Sequence, residues 1–379
     1  MKKILNGTII LLIALVLASC NSNQQKSDTQ QPNDNKYAQG FEIITETDGY
    51  TIKLLSPWMD NYSTTYTYRL TTNDTANYSN TIENQVVPIP VKRIAIMSTT
   101  HLAMIAALDE THSVVGISES RYVYDSLFWK IYEQNGISDI GYENSIDVEK
   151  ILELKPDAIF VYGLSQGISQ TFHRIVKMGV PVVFVSEFNE TTPLAKLEWL
   201  RFMGCFYNKL DIADTIISHK IDAYNRYKDI ASQVKTRPTV LTGLPWKDMW
   251  NISGGNTFTA ALISDAGGEY IYSHLNQKVN YQLGIEEVFL HAGNADFWIN
   301  TGIANSLSDI SMTDKRFVEF KAFANKKVFN NNKRQNNAGG NDYLESGIVS
   351  PEIILKDLIS ILHPELLTEH ELYYYKQLE

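Results

Sequence analysis

Cysteine is nearly absent: the 379-residue chain has two, Cys20 and Cys205. Two cysteines permit at most one bridge, so a disulfide-stapled fold is excluded and stability must come from packing. A basic excess is also missing. Lys and Arg number 33 against 43 Asp and Glu, for a formal charge of -10. That argues against nucleic acid as a partner, because phosphate binding needs a basic surface. The eight histidines lack the clustered spacing of a bare zinc or iron site. What is present is apolar. Hydrophobic residues make up 44% and charged residues 20%, a balance that folds into globular cores, and the length accommodates two domains of ordinary size.

The chain begins with Lys2 and Lys3 and the apolar run "ILNGTIILLIALVL". The run is too short for a comfortable membrane span and reads as a signal peptide over residues 1–19. It closes in "LASC", whose small residues 18 and 19 stand directly before Cys20. This resembles the lipobox of bacterial lipoproteins, in which the peptidase cuts before a cysteine that is then diacylated. The alternative is an ordinary signal peptide with a chance cysteine. With lipid on Cys20, Cys205 is left alone in "EWLRFMGCFY" and reads as a buried, inert thiol. The polar, low-complexity stretch that follows makes residues 20–40 a tether, unable to bury enough apolar surface to order itself. Its reach is at most about 66 Å, at roughly 3.3 Å per residue.

"FEIITETDGYTIKLLSPW" reads as a hairpin, two alternating runs flanking Asp48-Gly49, and "YSTTYTYRL" continues the β character. From Val91 strands alternate with helices: "KRIAIMS", then "TTHLAMIAALDE" with Thr99 or Thr100 as N-cap, then "SVVGIS", "DVEKILELKPDAIFVYG", "SQTFHRIVKMGV" and "PVVFVSE". Such alternation predicts a parallel sheet with helices on both faces. Two helical segments follow, "PLAKLEWLRFMGCFY" and a run from about Leu210 to about Lys235 with no Gly or Pro. The second keeps apolar residues at helical spacing, and about 26 residues of helix span about 39 Å. After Arg237-Pro238 the alternation restarts with "TVLTGL", "NTFTAALISDAG", "IEEVFLHAG", "DFWIN", "KKVFNNN" and "SPEIILKDLISILHPEL".

The two halves echo each other. "SIDVEKILELKPDAIFVYG" matches "QLGIEEVFLHAGNADFWIN" when Glu149 is set against Glu286, and "STTHLAMIAAL" parallels "GGNTFTAALIS". Two matches in the same order, on either side of one long helix, predict two similar lobes. The division expected is a hairpin region and first lobe over 41–190, linker helices over 191–236, and a second lobe with a C-terminal tail over 237–379. Ligands of α/β proteins favour clefts between domains and the carboxyl ends of strands.

Residues 88–365, most of all "VEKILELKPDAIFV", "VPVVFVSE", "WNISGGNTFTAALISDAGG" and "IEEVFLHAGNADFWI", resemble the class III substrate-binding lipoproteins of bacterial ABC importers. These bind ferric siderophores, haem or cobalamin. The resemblance implies an α/β fold of two Rossmann-like lobes joined by one long rigid helix, with ligand in the cleft between them. It implies no enzymatic activity, no resident cofactor and a lipid-anchored, extracytoplasmic protein. Family members carry a glutamate on the outer rim of each lobe that pairs with arginines of the permease. Those positions here are Glu149 and Glu286.

Pocket residues are expected in the loops at strand carboxyl ends. In the first lobe these are Thr99, Thr100 and His101, then Arg121, Tyr122 and Tyr124, then Gly163, Ser165 and Gln166, then Glu187. In the second they are Trp246, Lys247 and Trp250, then Asn300 and Thr301, then Arg334 to Asn337. Tyr and Trp supply flat, stiff walls, and Arg121, Lys247 and Arg334 would meet anionic chelate oxygens. An iron chelate fits this set first, with cobalamin close behind. Gly163, Ser165 and Gly167 also form G-x-S-x-G after an apolar run, the setting of a serine nucleophile. A hydrolase would need a downstream acid, a histidine and an oxyanion hole, and no H-G-G-type run appears. Serine hydrolase and a non-transporting surface adhesin are the alternatives to an importer binding protein.

Overall fold

A computed structural model of the chain describes residues 35–379 apart from residues 56, 58–64, 74–77, 79, 143–144, 164–169 and 277–279. Residues 1–34, with Cys20, lie outside the described residues. Lys36 to Gly40, the end of the expected tether, sit on the folded body. Glu198 accepts the backbone N–H groups of Lys36, Tyr37 and Ala38, and Glu190 those of Gln39 and Gly40.

The first sheet comprises β1 (Phe41–Glu46), β2 (Gly49–Leu55), β3 (Thr65–Thr71) and β4 (Asn84–Pro88), in that order. Its alternation is the cause of its packing. Phe41, Ile43, Ile52, Leu54, Tyr66, Tyr68 and Leu70 point to one face and are buried. Glu46 pairs with Gly49, so the turn sits on Thr47-Asp48, one residue earlier than the sequence signal. Gly49 enters β2 at φ +148, where a Cβ would meet the Leu70 carbonyl oxygen at 2.1 Å.

The first α/β lobe runs β5 (Ile94–Ile96), α1 (Thr99–Ala107), β6 (Val114–Ile117), α2 (Ser126–Asn135), β7 (Ser138–Asp139), α3 (Val148–Leu154), β8 (Ala158–Tyr162), α4 (Gln170–Lys177) and β9 (Val182–Val185). The strands are parallel in the order β7-β6-β5-β8-β9. Helices cover both faces, which is why β5 and β9 are buried along their whole length and read as unbroken apolar runs. The side chain of Gln85, on β4, bonds both the N–H and the carbonyl of Val182 at 2.7 Å. It thereby pairs the edge of β9 and docks the first sheet on the lobe. Ser98 caps α1 through the N–H of Thr100, one position before the expected Thr99 or Thr100.

Two helices then cross to the second lobe. In α5 (Pro193–Phe206) twelve residues are buried, Cys205 among them. The strut α6 (Leu210–Ser232) has 23 residues, about 34 Å of helix. It buries one stripe, Ala213, Ile217, Tyr224 and Ala231. Ion pairs tie it along its length: Lys209 to Glu110 in the first lobe at 2.6 Å, Lys220 to Glu352 and Lys228 to Asp265 in the second at 2.9 and 2.8 Å.

The second lobe repeats the plan with β10 (Thr239–Thr242), β11 (Met249–Ser253), α7 (Phe258–Asp265), β12 (Glu269–Tyr270), β13 (Asn280–Gly284), α8 (Ile285–Ala292), β14 (Phe297–Ile299), α9 (Leu307–Thr313), α10 (Lys321–Ala324), β15 (Val328–Asn330), α11 (Asp342–Glu345), α12 (Pro351–Leu362) and β16 (Lys376–Gln377). The order is β12-β10-β14-β15-β16, with only β16 antiparallel, while β11 and β13 form a separate antiparallel pair. The two sequence echoes fall on equivalent places. The helices α1 and α7 come between the first strand of each lobe and its neighbours β6 and β12. The units α3–β8 and α8–β14 supply the strand on the other side.

Candidate functional site

The carboxyl ends of the strands gather a particular kind of side chain. His101 follows β5, Ser118 follows β6, Glu187 follows β9, Thr301 follows β14 and Asn332 follows β15. All five are buried, and each holds a polar atom without a hydrogen-bond partner among the described residues. An unpaired buried polar atom costs roughly 1–3 kcal/mol, so natural proteins keep few, and a concentration of them marks a place where another molecule completes the bonding. Tyr272, two residues past β12, holds another, and Glu352, on α12, holds one away from the strand ends. Glu119, Lys247 and Asn300, on loops at the same ends, adopt left-handed backbone at φ 49, 55 and 55, as do Asp109, Lys155, Asn208 and Lys326 elsewhere, so this conformation does not by itself single out the strand ends.

The first-lobe part is a chain of contacts. The Ser98 and Thr100 hydroxyls lie 2.8 Å apart, and Thr100 donates to Glu187 Oε1 at 2.7 Å, joining the loops after β5 and β9. Beside them the imidazole of His101 is fully buried. Burial holds its pKa below the usual value, more than the neighbouring Glu187 charge can offset. Lys196, on α5, reaches toward the second lobe with Nζ 4.8 Å from the Phe258 ring centre at the start of α7. Burial lowers its pKa as well, against the opposing pull of Glu187 and Glu190.

The expected pocket residues divide sharply. Trp250 is in the core, its ring N–H on the Thr242 carbonyl at 3.0 Å and its ring 5.6 Å from Trp298, so it offers no wall to a cleft. Trp246 and Lys247 are exposed on the loop before β11. Thr99 is half-buried, and Gly163 is buried at the end of β8. Asn300 accepts from the Tyr375 hydroxyl at 2.8 Å. Ser165 and Gln166 lie outside the described residues.

Arg121, Tyr122, Tyr124 and Arg334 are brought together, but they engage one another. Arg121 pairs with Glu119 at 2.7 Å and lies over Tyr122, ring centre 4.7 Å away. Arg334 bonds Asp342 at 2.5 Å and is sandwiched between Tyr124 of the first lobe and Tyr373 of the tail, at 4.9 and 4.2 Å. Glu149 and Glu286 are both exposed first-turn residues, of α3 and α8, where a negative charge suits the helix dipole. Glu286 lies 3.4 Å from Arg316.

Ser98, Ser118, Lys196 and Asn332 were not foreseen. The first three sit one or a few residues from motifs that were read, and Asn332 belongs to the asparagine run that was read from Arg334 onward. Among the described residues no three His, Cys, Asp or Glu side chains come together as a metal site. A cavity of about 830 Å³ opens at the opposite, amino end of the second sheet. Several of its polar groups are already engaged: Arg237 by the Ser264 and Gly268 carbonyls, Asp296 by Lys321 and His370 by Asp357. The carboxyl ends, with their unpaired atoms, are therefore the better candidate.

Two α/β lobes on a helical strut, with unsatisfied polar groups at the strand ends, define a two-lobed binding protein. The model of the periplasmic binding protein family matches residues 94–334, and the chain belongs to that family. It is a binding protein, not a hydrolase. It is 26% identical over 290 residues to an uncharacterized lipoprotein of Methanocaldococcus jannaschii, covering 74% of this chain and 67% of the relative. Among solved structures it is similar to the molybdate periplasmic binding protein of a Haemophilus influenzae ABC transporter (TM-score 0.58, 18% identity, 78% of this chain and 93% of that one). It is also similar to a periplasmic heme binding protein of Pseudomonas aeruginosa (TM-score 0.56, 15% identity, 72% and 93%). At these identities the structural likeness concerns the fold.

Proposed function

We propose that this protein is the lipid-anchored binding component of an ABC importer, capturing a metal chelate between its lobes and delivering it to the permease. The observation that carries the reading is the set of buried, unpartnered polar atoms at the strand carboxyl ends of both sheets. A ligand that bonds to both lobes at once is what such a set requires. A ferric siderophore is the first choice, with cobalamin and haem as the alternatives. Arg334 is engaged by Asp342 and two tyrosines and Arg121 by Glu119 and Tyr122, so anionic chelate oxygens fall to Lys247 and the unforeseen Lys196. The "LASC" motif supports anchoring through Cys20, and the lipoprotein named among the relatives agrees with it.

The experiment is tryptophan quenching with ferric siderophores, hemin, cyanocobalamin and molybdate. Trp246 is 69% exposed and stands on a loop of the candidate cleft, so a bound chromophore should quench it. Saturable quenching by a ferric siderophore with none by molybdate is expected. Saturation by molybdate alone would replace the chelate with an oxyanion, and silence from the whole panel would favour the adhesin reading.

A further inference from the structure

The loop after β15, rich in asparagine and glycine, is folded on itself and pressed against the first lobe. Asn336 organises it. Its Oδ1 accepts the N–H groups of Ala338 and Gly340 at 3.0 and 2.8 Å, closing the loop. Its Nδ2 points outward and donates to the carbonyls of Arg121 and Val123 in the first lobe, at 2.9 and 3.0 Å. One amide side chain thus shapes the loop and spans the lobes. Gly340 is the point of closest approach, because a Cβ there would lie 2.1 Å from the Tyr122 carbonyl oxygen. Just beyond, Glu345 receives the next two backbone N–H groups of the same first-lobe segment, Tyr124 at 2.8 Å and Asp125 at 2.9 Å. Arg334 completes the join through Tyr124.

Four of the five residues Arg121 to Asp125 are therefore hydrogen-bonded to the second lobe through their backbone, with Gly340 against the Tyr122 carbonyl between them. Backbone recognition of this kind tolerates side-chain change but fixes spacing. A small pocket opens next to the grip. The pocket, of about 340 Å³, is lined by Leu102 and Ala106 of α1, by Val349 and by Ile216 of the strut. The hydrogen bonds of the grip add to the packing of α1 on residues 342–349.

We propose that residues 334–345 are a fixed strap that locks one flank of the cleft, withdraws Arg121–Asp125 and Arg334 from cargo recognition, and keeps the lobes at one separation while cargo comes and goes. The strap stands independently of the transport reading, and only its consequence for cargo exchange rests on that reading.

Amide hydrogen exchange of the mature chain without any ligand tests the strap. The Tyr124 and Asp125 amides, on a half-buried loop, are expected to exchange at least about 100-fold more slowly than unbonded loop amides of similar burial. Gly340→Val forces the loops apart and should lower that protection about ten-fold or more while enlarging the radius of gyration in small-angle scattering. Should Gly340→Val not fold, Asn336→Ala, which removes two cross-lobe bonds without adding bulk, should lower protection across residues 121–125 in the same direction. Unprotected Tyr124 and Asp125 amides in the wild-type chain, or unchanged protection in Asn336→Ala, would overturn the strap. A missing cargo would sink only the transport reading.

Discussion

Glu345 shows how much one carboxylate carries. It is 2% exposed and accepts two backbone N–H groups from the other lobe. Burial, helped by the neighbouring charges of Asp342 and Asp125, outweighs those bonds and raises its pKa from 4.5 to about 7. The sign of the consequence follows from linkage. A carboxyl whose folded pKa lies above its unfolded value stabilises the fold fully below about pH 4.5, and this contribution is lost as pH rises through about 7. The span corresponds to on the order of 3 kcal/mol. Glu345→Gln, neutral at every pH, should therefore gain stability relative to wild type between pH 4.5 and 7. Denaturant unfolding of both proteins at pH 4.5 and 8 checks this, and a pH-independent difference would show that the carboxylate is not the titrating group. Individual roles of this kind were poorly legible in the sequence. Loop position marked Arg334 and Trp250 as pocket residues, yet Arg334 is engaged by Tyr124, distant in sequence, and Trp250 by the aromatic cluster of Trp298, Phe317 and Phe320. Partners so remote leave no local pattern.

At the level of elements the sequence is far more informative, because burial on both faces forces unbroken apolar strands and a Pro or Gly ends helices such as α2, α3, α7, α8 and α12. The strut was read within three residues of its end, Ser232 against Lys235. What escaped notice were elements without a strong period. Helix α2 has only Phe128 fully buried, and the β11–β13 pair alternates weakly because β13 has no buried residue at all. The C-terminal β16 exists because Asp357, wholly buried on α12, accepts the N–H groups of Tyr373, Tyr374 and Tyr375 and bonds His370 at 2.6 Å. The repeat makes α3 and α8 equivalent, and with them Glu149 and Glu286. Two exposed acids in matched first turns would fix the register of a docked basic partner more than its affinity. Reversing both, Glu149→Lys with Glu286→Lys, is expected to abolish uptake by whole cells while leaving the purified protein's ligand affinity within about two-fold, a bound set by the small worth of exposed charges. Undiminished uptake by the double variant would remove these helices from docking.

For the molecule as a whole, two sheets facing each other by their carboxyl ends gather what evolution usually avoids: buried polar atoms without partners. Sequence periodicity located those ends, since each loop follows a legible strand. It could not reveal which hydroxyls and amides remain unpaired, because that depends on both lobes together. The account stands on the site being there and not in the cavity at the amino end of the second sheet. The most direct measurement is an amide-exchange footprint of the chain saturated with whichever chelate binds it. The account predicts new protection in residues 97–101, 186–187, 243–250 and 300–305, with little change along 321–327. Protection confined to residues 325–327 and 361–368, which line the opposite cavity, would contradict it.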